Sequence, residues 1–184
     1  WKIKGSPVAI LVDFSSLIPR KDEILTKLWE DYHVDSLSGQ WDYIEPVLFG
    51  YAAGAVIASY VENFCTATDK IAAHFHEWMT AAGGLYLRRH APYVATLFTT
   101  HATVMGRCIA GNHLPLYTDL TKFNADELAR QFNVVAKHSI EKAAAAYHDA
   151  FVTVSDITAN ECKFLLGREP DCITPNGFEN DFVW

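Results

Sequence analysis

Apolar residues recur along this chain in two patterns, short continuous runs and longer stretches with helical spacing. The first run, residues 7–14, is almost entirely apolar, which is typical of a strand that is covered on both faces. After Pro19, four apolar side chains share one stripe and predict a helix: Leu25, Leu28, Trp29 and Tyr32. A second helix is predicted over residues 42–64, where Gly and Ala at 50 and 52–55 form a small-residue surface suited to close packing.

The rest of the chain alternates between strand and helix patterns. Further strands are predicted over residues 70–75, 93–98, 150–154 and 172–174. Asn124 followed by Glu127 resembles a capping box, which begins a helix running to about residue 147. Ser155 or Asp156 caps another helix, which runs to about residue 166 and ends at Gly167. This alternation predicts a single α/β domain over residues 1–184, a three-layer Rossmann-like arrangement with about five mostly parallel strands.

Polar side chains follow several of these strands at the point where each strand ends. His74 and His76 close the second apolar run, Thr100 and His101 follow the third, and Asn176 lies in the turn after the last. All strands of a parallel sheet end on one edge, and ligands bind at that edge in open α/β sheets. These residues therefore predict a binding site on one rim of the sheet, with His76 as the ligand contact because it lies nearer the rim than His74.

Several interpretations of this rim stay open. Taken singly, each polar residue could serve a turn or a helix cap, and His74 could be a buried imidazole bonded to the backbone. His74, His76 and His101 could instead bind a metal ion, as in a hydrolase, although no HExxH spacing supports a metal site. Glu77 could act as a general base, but its position at a helix start favours capping. We expect three other histidines on loops or helix surfaces: His113, His138 and His148.

Composition narrows the class of protein. Half of the 184 residues are apolar and the net charge is −7, which argues against nucleic acid or an anionic membrane surface as the partner. The four cysteines have no CxxC spacing, so we expect reduced thiols in a cytoplasmic protein. We expect neither a secretory signal nor an apolar run that spans a bilayer. The chain also lacks GxSxG, GxGxxG and GxxxxGK[ST], the motifs of serine hydrolases and nucleotide-phosphate loops.

Five stretches of the chain resemble the glycogen synthases of animals and fungi, in that family's order and at compatible spacing. They are residues 20–24 (RKDEI), 41–54 (WDYIEPVLFGYAAG), 73–78 (AHFHEW), 98–107 (FTTHATVMGR) and 174–177 (TPNG). The resemblance implies one of the two Rossmann-like domains of a GT-B fold, specifically the latter part of the acceptor-side N-terminal domain.

The resemblance also implies an activity, which is a retaining glycosyltransferase that needs no cofactor. Such an enzyme moves glucose from a nucleotide-sugar, typically UDP-glucose, to the non-reducing end of an α-1,4-glucan. His76 matches the family's HEW histidine, which lies beside the transferred glucose. The resemblance therefore implies a catalytic role for His76. Thr100 and His101 match the TTHAT segment on the same wall, and Asn176 matches the TPNG turn at the cleft edge, so all four are expected to bind substrate.

Other parts of the family's machinery find no match in this chain. These are the lysine and Gly-Gly loop near the family's N-terminus, the arginine and lysine that hold the diphosphate, and the glutamate motif of the C-terminal domain. We therefore expect a fragment without activity of its own, and a non-catalytic glucan-binding module is the alternative. A sheet edge left uncovered in such a fragment would favour self-association into a homo-oligomer.

Overall fold

The computed structural model describes residues 5–177, in which a parallel sheet packs against helices. Within that range the strands are β1 (Ala72–His76), β2 (Ala95–Thr100), β3 (Ala150–Thr153) and β4 (Cys172–Ile173). They pair in the order β1-β2-β3-β4, and each neighbouring pair is parallel. The predicted Rossmann-like α/β class is confirmed, although the described residues form four strands instead of about five.

Helices connect and cover these strands. They are α1 (Lys21–Tyr32), α2 (Trp41–Phe64), α3 (Ala81–His90), α4 (Val104–Gly111), α5 (Leu116–Asp119), α6 (Ala125–Gln131), α7 (Val135–Tyr147) and α8 (Asp156–Glu161). Short 3₁₀ helices occur at Ser15–Arg20, Trp78–Thr80 and Leu120–Lys122, and a π-helical segment, Cys162–Leu166, continues α8. At least one helix therefore lies between each strand and the next, as parallel pairing requires.

Most of the predicted helix ends are confirmed. Asn124 and Ser155 each cap a helix, because each side-chain oxygen accepts a hydrogen bond from the N–H three residues later, at 3.2 and 3.1 Å. Gly167 ends the π-helical segment in the left-handed conformation, with a φ of 76°. The expectation of one helix from 124 to 147 is wrong. The chain breaks between α6 and α7 at Asn133, whose φ of 55° no helix can accommodate.

The apolar run at residues 7–14 is not a strand. It has no ladder partner among the described residues, and its side chains face solvent, with Val8 94% and Leu11 97% exposed. A strand is stable only when a neighbouring backbone pairs with its N–H and C=O groups. The predicted first strand is therefore wrong for this structure, and the run adds exposed apolar surface instead.

The main core lies between one face of the sheet and three helices. Phe75, Phe98 and Phe151 stand side by side across β1, β2 and β3, and each is at most 4% exposed. α3 lies against β1 and β2, while α2 and α7 pack against α3. On the opposite face of β1, His74 and His76 are exposed. At β1, the sheet therefore buries its aromatic face and leaves the face with the histidines exposed.

α2 and α3 approach each other closely through glycines. A Cβ atom at Gly54 would lie 2.6 Å from the carbonyl oxygen of Gly83, and one at Gly83 would lie 2.7 Å from that of Gly50. The small-residue surface predicted from the sequence is therefore a helix-packing surface.

By length and composition alone, α2 is also apolar enough to cross a membrane, which corrects the expectation that no run is long enough. In this structure its buried residues belong to the core.

Candidate functional site

Two histidines meet at the carboxyl end of the sheet. His76 is the last residue of β1, and His101 directly follows β2, so parallel pairing brings both to the same edge. A hydrogen bond of 3.0 Å joins His76 Nδ1 to His101 Nε2, and the ring centroids lie 5.3 Å apart. The structure thus brings together two of the predicted site residues.

His74 extends this group along the same face of β1. Its ring centroid lies 4.1 Å from that of His76, and its Nε2 forms a hydrogen bond of 2.7 Å with the hydroxyl of Thr99. Its side chain is exposed and bonded to another side chain, so the interpretation as a buried imidazole bonded to the backbone is wrong. Partial burial, and then the neighbouring histidines, lower the pKa of both His74 and His76. Both rings are therefore neutral near neutral pH.

The histidines are not arranged as metal ligands. His76 Nδ1 and His101 Nε2 face each other across their hydrogen bond, so they cannot converge on a common ion. Among residues 5–177, no group of three His, Cys, Asp or Glu side chains is placed to hold a metal ion. The metal-dependent hydrolase interpretation therefore gains no support from this geometry, and the rim offers hydrogen bonds to a polar ligand instead.

The side chains of the other predicted site residues do not join the histidine pair. Thr100 is fully buried, and its hydroxyl donates a hydrogen bond of 3.0 Å to Glu141 Oε1 in the interior. Asn176 is exposed after β4, which lies two strands from β2 and hence roughly 10 Å along the rim. No hydrogen bond within residues 5–177 joins Asn176 to either histidine. Contacts of Thr100 and Asn176 with a substrate therefore stay predictions.

Glu77 connects the two segments that carry the histidines. Its Oε1 accepts a hydrogen bond of 2.9 Å from His101 N–H, and its own N–H donates to Thr99 O at 2.8 Å. It occupies the N-cap position of the 3₁₀ helix that follows, as expected from its place at a helix start, but its side chain forms no cap hydrogen bond there. Its φ of 64° and ψ of 161° lie in a region that is almost restricted to glycine and costs about 1–3 kcal/mol for other residues. The surrounding contacts must hold this strained conformation in place.

Two buried glutamates hold the rest of residues 100–104, the segment we call the β2 loop. Glu141 on α7 accepts hydrogen bonds from the Thr100 hydroxyl at 3.0 Å and from Val104 N–H at 2.9 Å. Glu161 on α8 accepts one from the Thr103 hydroxyl at 2.9 Å. Burial raises the pKa of Glu141 to about 8. The sequence analysis missed both glutamates, because nothing in their local spacing points to a loop that lies far away in the chain.

Two histidines expected on the surface are instead buried. His138 is 2% exposed on α7, beside Asp126, and His148 is 3% exposed against the rings of Phe75 and Phe98. Burial lowers the pKa of each to about 4, so both are neutral core residues. The expectation holds only for His113, which is exposed in the left-handed conformation with a φ of 58°.

The rim itself is open rather than enclosed. Two larger cavities, of about 730 and 450 Å³, lie beside α1 and beside α7, and none of the rim histidines lines them. A ligand at the histidine pair would therefore contact this chain on one side only. The described residues supply one wall of a site, not a closed pocket.

Comparisons with known proteins agree with the motifs found in the sequence. The glycogen synthase family model matches residues 1–182. The glycogen [starch] synthase of Dictyostelium discoideum is 34% identical over 98% of this chain, which covers 20% of the relative. Isoform 2 of Saccharomyces cerevisiae is 35% identical and the liver enzyme of Rattus norvegicus 33%, each over 96% of this chain and 25% of the relative. The chain thus spans a quarter or less of these relatives' length, and its match to the family along nearly all of its residues means that it belongs to the glycogen synthase family.

Proposed function

We propose that this chain forms part of the acceptor-side wall of a glycogen synthase. The complete enzyme would transfer glucose from a nucleotide-sugar, typically UDP-glucose, to the non-reducing end of an α-1,4-glucan with retention of configuration. The observation that carries the proposal is the His76–His101 pair at the carboxyl-end rim of a parallel sheet, in a chain of this family. This rim is where ligands bind in open α/β folds.

The histidine pair suits a sugar hydroxyl as its ligand. His76 uses Nδ1 to bond His101, and no hydrogen bond within residues 5–177 engages its Nε2. Since the pKa of His76 is lowered, the ring is neutral and carries one proton. If Nδ1 accepts from His101, Nε2 is a donor; if Nδ1 donates, Nε2 is an acceptor. In either tautomer, one nitrogen of His76 remains for a hydroxyl group at the rim.

A preorganised hydrogen bond of this kind contributes to catalysis when it strengthens in the transition state. His101 fixes the rotation of the His76 ring before the substrate arrives, so little reorganisation is needed at the moment of reaction. The net charge of −7 and the open rim are compatible with a neutral glucan acceptor and give no support to nucleic acid. We place the enzyme in the cytoplasm, where nucleotide-sugars are expected. We also propose that the protein self-associates into a homo-oligomer.

The test is glucosyl transfer by the full-length protein that carries this sequence. Incorporation of labelled glucose from UDP-glucose and ADP-glucose into glycogen identifies the donor, and the anomeric configuration of the new bond tests retention. We expect His76→Ala to lower kcat about 10²–10³-fold, the cost of removing one preorganised donor. Its melting temperature should change little, because His76 is exposed.

A matched histidine provides the control for this substitution. His90 is exposed at the end of α3, the helix that runs back from the rim, so His90→Ala should leave kcat unchanged. Wild-type turnover in the His76 variant would contradict the catalytic assignment. Binding of glycogen without any transfer from either donor would instead identify a glucan-binding module.

A further inference from the structure

Glu77 occupies a backbone conformation that its own side chain does not favour. Its φ of 64° and ψ of 161° suit glycine, yet the residue is a glutamate that begins the turn after β1. Its N–H donates to Thr99 O at 2.8 Å, which extends the pairing of β1 and β2 by one residue. The backbone at this position would be satisfied by glycine, so the carboxylate needs a separate explanation.

Among residues 5–177, the carboxylate has one hydrogen-bond partner, which lies across the rim. Glu77 Oε1 accepts a hydrogen bond of 2.9 Å from the backbone N–H of His101, which lies 24 positions further along the chain. The ring of the same His101 bonds His76, the residue immediately before Glu77. The three residues therefore form a closed network of contacts. The Glu77 carboxylate binds the His101 backbone, the His101 imidazole binds that of His76, and His76 is joined to Glu77 by the chain.

This network of contacts fixes the orientation of His76 rather than the position of the β2 loop as a whole. Glu141 and Glu161 already bind Thr100, Thr103 and Val104, on either side of His101. Of the three glutamates, only Glu77 contacts His101 itself. Loss of its carboxylate would leave the loop in place but would free His101 to shift, and His76 would lose its fixed rotation.

We propose that Glu77 is a positioning residue that holds His101, and through it His76, in the orientation required at the rim. The inference rests on the proposed function, because it assigns a role in the same site. Glu77 acts through its carboxylate oxygen as a hydrogen-bond acceptor. It neither transfers a proton nor contacts the sugar.

Two substitutions separate the acceptor from the charge and from the backbone strain. Glu77→Gln keeps a carbonyl oxygen as the acceptor and removes the charge, so kcat should fall by no more than a few-fold. Glu77→Gly relieves the backbone strain but removes the carboxylate that accepts the hydrogen bond from His101 N–H. We therefore expect kcat to fall about 10- to 100-fold, while the melting temperature stays the same or rises. Glu45→Gln, at an exposed position on α2, is the matched control and should match the wild type.

The measurements are kcat and KM for glucosyl transfer, thermal unfolding, and crystal structures of both variants of the full-length protein. In the structures, the contact of 3.0 Å between His76 Nδ1 and His101 Nε2 should persist in the Gln variant and lengthen in the Gly variant. A Gln variant as inactive as the Gly variant would show that Glu77 acts by its charge or proton, which overturns the proposal. A melting temperature that falls in parallel with kcat in the Gly variant would overturn it in favour of a purely structural role.

The crystal structures also separate this inference from the proposed function. If the wild-type protein transfers no glucose, the proposed function fails. The histidine contact in the two variants then still tests whether Glu77 positions His101. An unchanged contact in the Gly variant would overturn the positioning role even in an active enzyme.

Discussion

Replacing Gly54 with alanine tests whether the close backbone contact between α2 and α3 sets the position of α3 against the sheet. A Cβ atom at this position would lie 2.6 Å from Gly83 O, 2.9 Å from Gly83 Cα and 3.0 Å from Tyr86 Cβ. The two shortest contacts involve backbone atoms of α3, which cannot rotate away. The helices must therefore move apart by several tenths of an ångström.

The net cost follows from two opposing effects. Overpacking of a filled core costs about 1–3 kcal/mol, and contact with an unyielding backbone favours the upper end. Alanine in the interior of a helix is favoured over glycine by about 0.5–1 kcal/mol. We therefore expect a loss of about 2 kcal/mol in the free energy of unfolding, or about 4–8 °C in melting temperature for a chain of this size.

Urea unfolding followed by circular dichroism measures this loss directly. Gly111→Ala is the matched control, because Gly111 ends α4 and a Cβ atom there would contact nothing within 4 Å. That variant should be as stable as the wild type or slightly more stable. If Gly54→Ala were equally neutral, the close approach of α2 and α3 would not be a constraint on the fold, and the argument from small residues would be refuted.

Two further predictions concern carboxylates that accept hydrogen bonds from residues of β2. Burial raises the pKa of Glu141 from 4.5 to about 8, so the folded chain binds the proton more tightly than the unfolded chain, and stability falls as pH rises between these values. Glu141→Gln should remove this decline, which urea unfolding at several pH values will show; an unchanged pH dependence would contradict it. Asp149 accepts from both Thr96 N–H and the Thr96 hydroxyl, at 2.8 and 3.0 Å, so Asp149→Ala should cost about 1–3 kcal/mol by leaving buried groups unpaired. Urea unfolding of Asp149→Ala measures that cost, and wild-type stability would contradict it.

Local patterns in the sequence were sufficient to predict the parallel sheet and the ends of most helices. Apolar runs located β1 to β4 to within about two residues, the usual error at element boundaries. Asn124 and Ser155 were recognised as caps because a cap depends on residues only three positions apart. The prediction of a strand at residues 7–14 was wrong for the opposite reason, because a strand also needs a pairing partner that lies elsewhere in the chain.

The candidate site was predictable only in part. Parallel pairing is enough to place His76 beside His101, because His76 ends β1, His101 directly follows β2, and the two strands are neighbours. The contacts that hold the β2 loop come from Glu77, Glu141 and Glu161, which lie 24 to 58 positions from their partners. No periodicity or motif encodes such distances. The sequence therefore located the chemistry of the rim but not the groups that hold it in place.

The glutamates around the β2 loop also determine when the rim can exist during folding. Glu141 binds both Thr100 and Val104 from α7, so an opening of α7 releases both ends of the loop at once. The loop amides should therefore exchange hydrogen through the same cooperative opening as α7 rather than through local fraying. The geometry of the rim then depends on the docking of α7, and a molecule that has lost the packing of α7 is expected to lose the fixed β2 loop as well.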